Sequence, residues 1–329
     1  MLESLTAMFA PPAAAEPPLL FGLTDTELAL VWVAQIVLLL VGGALFGMPG
    51  TTTKLLADFD ASHTKAGRVA GAHPAWWWPV CEMWCRLVEW GNRTLTHDLG
   101  SPMLPAWWGI DFCKGATAPL LFGLMYASDN WSLGAYTYLA LHGSYGVLWV
   151  VKSWLFGDPR WDKKLPPLGF LIVNTWLFMY WVGGVALITR GTPVSTERAA
   201  LATAMYVFGV TAMLGADGQR HFTLRLKPGL ISDGWYARTR NPNYLGEILL
   251  YASFGVLAQL RLLWAHLLVT WLVVFLPNMW WKEHSFRRKP GWEAYAARSG
   301  MLLPKLWPGA PPPPAPAAKG RARSPKRRS

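Results

Sequence analysis

Residues 28–48 read LALVWVAQIVLLLVGGALFGM, 21 residues without a charge. Coiled as a helix, such a run spans about 30 Å, the hydrocarbon thickness of a bilayer. Similar runs recur at 110–126, 134–156, 167–188, 198–216, 244–259 and 262–277. Only Leu260 and Arg261 separate the last two, which predicts a tight helical hairpin. A further stretch, 75–90, is apolar but holds Glu82, Arg86 and Glu89. It reads as a short helix lining a cavity or lying at the interface. The expected fold is all-α, a polytopic transmembrane helical bundle of about seven spans that ends in a helical hairpin. If 75–90 also crosses, the count is eight.

Composition agrees. Charged residues make up 15% of the chain, against about 25% in a soluble domain. That excludes an intrinsically disordered chain and argues against a water-soluble enzyme. The 21 Trp and 10 Tyr suit positions where membrane meets water.

Charge sets the orientation. The first 53 residues hold no Lys or Arg, so Met1 to Pro18 lacks the positive start of a signal peptide. Loop 157–166 holds Arg160, Lys163 and Lys164, and loop 217–242 holds Arg220, Arg225, Lys227, Arg238 and Arg240. Loops 127–133 and 191–197 hold none. The positive-inside rule places the basic loops and the C-terminus in the cytoplasm and, with seven spans, the N-terminus outside. The expectation is a multi-pass integral membrane protein, of the endoplasmic reticulum in a eukaryote or the inner membrane in a bacterium. Of the net charge of +11, most sits in residues 305–329, which carry seven Lys or Arg and no acid. This Pro/Ala-rich tail cannot bury a core and is predicted to be disordered, solvated or touching lipid. The organisation predicted is an outer N-terminal segment 1–27, a substrate-side half 28–197, a cofactor-binding half 198–304 and the tail. The bilayer and a membrane lipid are the expected partners; no nucleic acid is.

Several chemistries can be struck off. Cys81, Cys85 and Cys113 make neither a disulfide framework nor a zinc pattern. No two of the seven His lie three to five residues apart. There is no GxGxxG, Walker A sequence or Gly-x-Ser-x-Gly elbow. No metal site is expected.

The most informative segment is GWYARTRNPNYLGE, residues 234–247. Asn241 can cap a helix, and Pro242 suits its first position. Arg238 and Arg240 precede it, so the helix start reads as an anion site at the membrane surface. One turn further in, Asn243 and Glu247 share a face at i and i+4. A carboxylate inside the hydrocarbon layer is expensive and points to function. A phosphate-binding rim above a polar wall suits an elongated ligand with a phosphate end and an amide or amine end. Asp217, Gln219 and Arg220 before it, and Lys282, Glu283, His284, Arg287 and Arg288 after it, fall on the same side.

RNPNYLGEILLY, the hairpin and KEHSFRRKPGWEAYAARSGMLLP resemble the C-terminal half of the membrane steroid 5α-reductase family. They are also similar to the wider group holding sterol C14 and C7 reductases and isoprenylcysteine carboxyl methyltransferases. The resemblance spans about Ala216 to Pro304. It implies a helical membrane bundle whose C-terminal half binds NADPH, with Asn243 and Glu247 on the nicotinamide nucleotide, Asp217 at the end of the preceding helix and His284 on the cofactor. Tyr244, Arg220, Arg238 and Arg240 complete the expected cofactor-binding set. The family's Tyr shortly after the His is a basic residue here, Arg288 or Lys289. The methyltransferase branch has two adjacent acids where this chain has Lys282-Glu283, and Gly246-Glu247 is the reductase form.

In the reductases a carboxylic acid and a Tyr polarise an enone carbonyl. Glu82, after PAWWW, is similar in placement to that acid, although Cys81 stands where a Gln is usual. Tyr145, in His142-Gly-Ser-Tyr, is similar to the Tyr, with Tyr138 behind it. Read as residues alone, Glu82 can equally pair with Arg86 and Tyr145 can be a packing residue. The expected function is NADPH-dependent reduction of an activated C=C bond in a steroid, sterol or isoprenoid-type lipid, with Glu82 and Tyr145 catalytic. The alternatives are an S-adenosylmethionine-dependent lipid or prenylcysteine methyltransferase and a non-catalytic reductase-like scaffold.

Overall fold

The computed structural model describes residues 24–34 and 78–307. Helix α1 occupies residues 25–34, α2 Trp78–Thr96 and α3 Ala106–Ala127. Helix α4 runs unbroken over 133–156 through a π-helical turn at Leu139–Gly143. Helices α5 and α6 are Pro167–Thr189 and Thr196–Leu226. Then come α7 (Pro242–Ala258), α8 (Arg261–Phe286) and α9 (Trp292–Arg298). Strands β1 (Leu104–Pro105) and β2 (Lys164–Leu165) pair antiparallel and join the loops before α3 and α5.

The chain is mostly helical, as its apolar runs dictate. Among the described residues three helices, α5, α6 and α8, are long and apolar enough to cross a membrane, fewer than the seven or so expected. The runs 110–126, 134–156 and 244–259 also fold as helices but fall short of that measure. Helix α7 has 17 residues. Helix α3 carries Asp111 and Lys114, and α4 carries His142 and Lys152. Of the run 28–48, only residues 28–34 are described; residues 35–77, the tail beyond 307 and residues 1–23 lie outside the described part. Of the stretch 75–90, residues 78–90 lie in α2, which continues to Thr96.

Polar and apolar groups are arranged inside out. Phe112, Phe122, Leu171 and Phe208 are exposed on the helices' outer faces, while Lys114, Lys152 and Asp217 are buried. A lipid-facing exterior accounts for both. Two close helix crossings fix the interior. A Cβ on Gly209 of α6 would lie 2.7 Å from the Gly246 carbonyl of α7, and one on Gly246 would strike α6 in return. A Cβ on Gly146 of α4 would strike the Lys114 carbonyl of α3. Those glycines let α6 approach α7, and α3 approach α4, closely enough to face their polar side chains across one interior.

The hairpin forms as expected. Helix α7 ends at Ala258, Gln259 takes the left-handed conformation (φ 51°), and α8 begins at Arg261. Asp25 of α1 caps α8 from a distance in sequence, accepting from the Arg261 N–H at 2.5 Å and the Leu262 N–H at 2.8 Å. Gln259 accepts from Arg198 at 2.7 Å, and Asn130 donates to the Ile188 carbonyl at 2.7 Å. The loops at this end lack basic residues, but Arg190, Arg198 and Arg261 flank them. The opposite end gathers loops 157–166 and 227–241 with the C-terminal turns, and the candidate site lies there.

Candidate active site

The start of α7 is roofed rather than open. The Arg240 N–H donates to the Gly300 carbonyl at 2.9 Å, and the Gly300 N–H donates to the Arg238 carbonyl at 3.0 Å. Thr239 Oγ1 donates to the Leu302 carbonyl at 2.7 Å. Asn241 is wholly buried and donates its amide to the Met301 carbonyl at 2.9 Å. Its side chain makes no capping bond, contrary to the sequence reading: the amide nitrogen is tied to the roof, and Oδ1 accepts no hydrogen bond among the described residues. Arg240 is also part of the scaffold: Nε and Nη2 grip Glu283 at 2.7 and 2.9 Å, and Nη1 donates to the Ser299 carbonyl at 2.5 Å. With its three donor nitrogens so engaged, Arg240 holds protein, not phosphate. Arg238 has an exposed side chain, and its carbonyl accepts from both Gly300 and Lys305.

Below that roof a polar mouth opens between α4, α6, α7 and α8. Asp158, in the loop after α4, binds Arg160 at 2.7 Å and Arg220 at 2.9 Å. Burial alone would raise the Asp158 carboxyl, but the Arg160 hydrogen bonds and the two cations hold it well below the usual carboxylate range. Lys152 of α4 pairs with Asp217 of α6, and Arg220 lies 3.7 Å from the other Asp217 oxygen. The Arg160 charge also acts on Tyr244. Lys282 of α8 sits 4.6 Å above the Tyr244 ring and 3.5 Å from Asn243 Oδ1. Asn243, Tyr244, Asp217 and Arg220 are thus brought together. Glu247 completes the set within electrostatic reach of Lys152, Asp217, Lys114 and Lys282. No side-chain hydrogen bond engages it among the described residues.

Deeper in the bundle, Tyr251 follows Glu247 by one turn of α7. Its hydroxyl lies 2.7 Å from that of Tyr145 and accepts from Lys114 Nζ at 3.1 Å. A shallow pocket at the α3–α4 seam is lined by Trp107, Asp111, Trp149, Lys152 and Trp161, among others. Sequence reading missed Lys114, Lys152, Asp111 and Tyr251. The signal for the first three was present, since each is a charge inside an apolar run. Tyr251 was marked by its four-residue spacing from Glu247.

Glu82 lies elsewhere. Its carboxylate accepts from Arg86 at 3.0 Å, Trp280 Nε1 at 2.5 Å and His284 Nε2 at 2.9 Å. Those partners are distinct from Tyr145's, and no contact joins Glu82 to Tyr145 among the described residues. His284 is brought to Glu82 rather than to the mouth. Successive residues on a helix project about 100° apart. In the last turn of α8, Lys282 therefore reaches the mouth, Glu283 the Arg240 scaffold and His284 Glu82.

Residues 150–299 match a family model described as a protein of unknown function, DUF1295. The matched region holds the mouth, Tyr251 and the Lys282–His284 turn; Glu82, Lys114 and Tyr145 precede it. No curated protein and no solved structure matches the chain.

Proposed function

We propose that this chain is a multi-pass membrane enzyme that uses NADPH to reduce an activated C=C bond of a steroid, sterol or isoprenoid-type lipid. In this reading α3, α4, α7 and the run 28–48 cross the bilayer along with α5, α6 and α8, and the mouth faces the cytoplasm. The observation that carries the reading is Glu247: a half-buried carboxylate that takes no hydrogen bond among the described residues, one turn below Asn243 and under a rim of cations. A ligand matching that set has anionic groups for Arg160, Arg220 and Lys282 and hydrogen-bond donors for Glu247. NADPH fits it. Its phosphates match the three cations, and its carboxamide can donate to Glu247 and engage Asn243. One Asp217 oxygen also has no hydrogen bond and can accept from a hydroxyl. When bound, NADPH supplies hydride. The protein's part is to hold the nucleotide by its charges, exclude water from the reacting end and present the lipid's double bond to it.

The likeness to steroid reductases over 216–304 supports this reading and overlaps the DUF1295 match. S-adenosylmethionine, with no phosphate, gives the cationic rim no role. The test is calorimetric titration of the purified protein with NADPH, NADH and S-adenosylmethionine in parallel. NADPH is expected to bind, and Lys282→Gln to weaken it about tenfold, the worth of one charge-assisted contact. Binding of S-adenosylmethionine alone would establish the methyltransferase reading instead, and binding of none of the three would leave a scaffold.

A further inference from the structure

Lys114 is a buried cation that the nucleotide mouth does not use. It lies midway along α3 and is 3% exposed. An ammonium has three N–H donors, yet among the described residues this one makes a single hydrogen bond, to Tyr251. Around it stand the rings of Tyr145, Tyr180 and Tyr251, with centroids 4.7, 4.9 and 5.2 Å from Nζ, and Trp149 at 5.5 Å. Ring faces attract a cation, but they are no substitute for a counter-charge. Among the described residues no carboxylate reaches ion-pair distance of Lys114; Glu247 acts on it from further off. A buried charge without its opposite is expensive, and inside a membrane protein it marks a working part.

The second observation is convergence. The Tyr251 hydroxyl is shared between Lys114 Nζ at 3.1 Å and the Tyr145 hydroxyl at 2.7 Å. One ammonium and two phenols meet at a point, which is a donor set for negatively charged oxygen. Asn243, Glu247 and Tyr251 follow at i, i+4 and i+8 on one face of α7. The cluster therefore lies about 12 Å along the helix from Asn243, beyond Glu247. The Trp149 ring, 5.5 Å from Lys114 and 4.6 Å from Lys152, separates it from the pocket at the α3–α4 seam.

Building on the reductase reading, we propose that Lys114, with Tyr251 and Tyr145, is the oxyanion site of this enzyme. It binds the carbonyl oxygen of a conjugated ketone and holds the charge that develops there. When hydride adds to the β carbon, the C=C electron pair becomes the new bond between the α and carbonyl carbons. The carbonyl π pair moves onto oxygen, giving an enolate that Lys114 and Tyr251 stabilise. After hydride transfer, water entering from the mouth protonates the α carbon and leaves as hydroxide to bulk solvent, the C=O bond reforms, and CH–CH has replaced C=C. Glu82 has no part in this, since its oxygens are taken by Arg86, Trp280 and His284.

The test needs no turnover. Full-length protein in detergent is titrated with an alkyl-substituted cyclohex-2-enone carrying a ¹³C carbonyl, and the bound carbonyl stretch is read by infrared difference spectroscopy. The stretch is expected to move to lower frequency in wild type and to return to its hydrocarbon-solvent position in Lys114→Met. Affinity for the enone should fall ~10- to 100-fold in that variant, as expected for a charge-assisted hydrogen bond. The matching cyclohexene without a carbonyl should bind both proteins alike, and NADPH should bind Lys114→Met as tightly as wild type. An unshifted carbonyl in wild type, or an equal shift in Lys114→Met, overturns the oxyanion site while leaving the nucleotide titration to judge the reductase reading. Where Lys114→Met does not accumulate, Tyr251→Phe carries the same test. It should lose most of the shift, and an unchanged shift there overturns the proposal.

Discussion

Around the last turn of α8, buried charges hold their counter-charges directly. Glu283 grips Arg240 through two hydrogen bonds, and Glu82 accepts from Arg86 and His284. Along the inner face of α7 the arrangement is the reverse. Among the described residues Glu247 has no hydrogen bond, and Lys114 meets phenols and ring faces instead of a carboxylate. Glu247 is half-buried where Glu82 and Glu283 are buried, but Lys114 is as buried as Glu283, so burial alone does not explain the contrast. Paired charges fix geometry, as the Arg240–Glu283 grip pins the start of α7 under the 299–305 segment. Charges left without direct partners keep their capacity for something that arrives.

The largest effect that could break this comparison is on folding. Arg240→Ala leaves Glu283 buried without its partner, which costs about 3–5 kcal/mol. The melting temperature in detergent should drop on the order of 10 °C. An unchanged melt would show that the grip is not structural. Glu247→Gln should do the opposite, leaving the melt unchanged or slightly raised while NADPH affinity falls at least ~10-fold. If Glu247→Gln unfolds the protein, Glu247 belongs with the paired charges and the contrast fails.

A smaller effect follows from acid. Burial alone would raise the Glu82 carboxyl, but hydrogen bonds from His284 and Trp280, with the charges of His284 and Arg86, bring it from 4.5 down to about 2. Its folded value lies below the unfolded one. The stability it contributes is therefore complete above about pH 4.5 and is lost as pH falls toward 2. Melts across that window should fall, and fall less steeply in Glu82→Gln; parallel slopes would remove Glu82 from the paired set. The smallest effect is expected from deleting residues 309–329. That segment is rich in Pro, Ala and basic residues and lies past the 299–305 roof. Melt and nucleotide affinity should both stay within error, and a tenfold loss of affinity would mean the mouth extends into the tail.

Much of the bundle was legible because apolar runs of helical length announce themselves. The hairpin was legible because Leu260 and Arg261 leave little room for a connection, although the turn falls at Gln259–Leu260 and the second helix runs on past the apolar run to Phe286. The Asn243–Glu247 face was legible through spacing. What stayed hidden needed partners distant in sequence. Nothing local to Arg240 says that Glu283 will claim it, or that the Asn241 amide will be tied to Met301. Glu82 and Tyr145 illustrate the same limit, because sequence supplies two plausible groups and only packing decides that α8 takes the first and α7 the second. Lys114 was hidden differently. It was visible as a charge in an apolar run, and its meaning lay in the carboxylate missing beside it.

The Asp25 cap on α8 has a consequence for timing. Asp25 and Arg261 stand 236 residues apart in a contact only a few ångströms long. A chain made from its N-terminus has nearly all of its helices in hand before the backbone N–H groups of Arg261 and Leu262 exist to receive that carboxylate. Until then the first helix has no fixed seat at this end, and the acid near its start is left to water. Among the described residues the contact closes a loop of 236 residues, so it can form only after most of the described helices have been made.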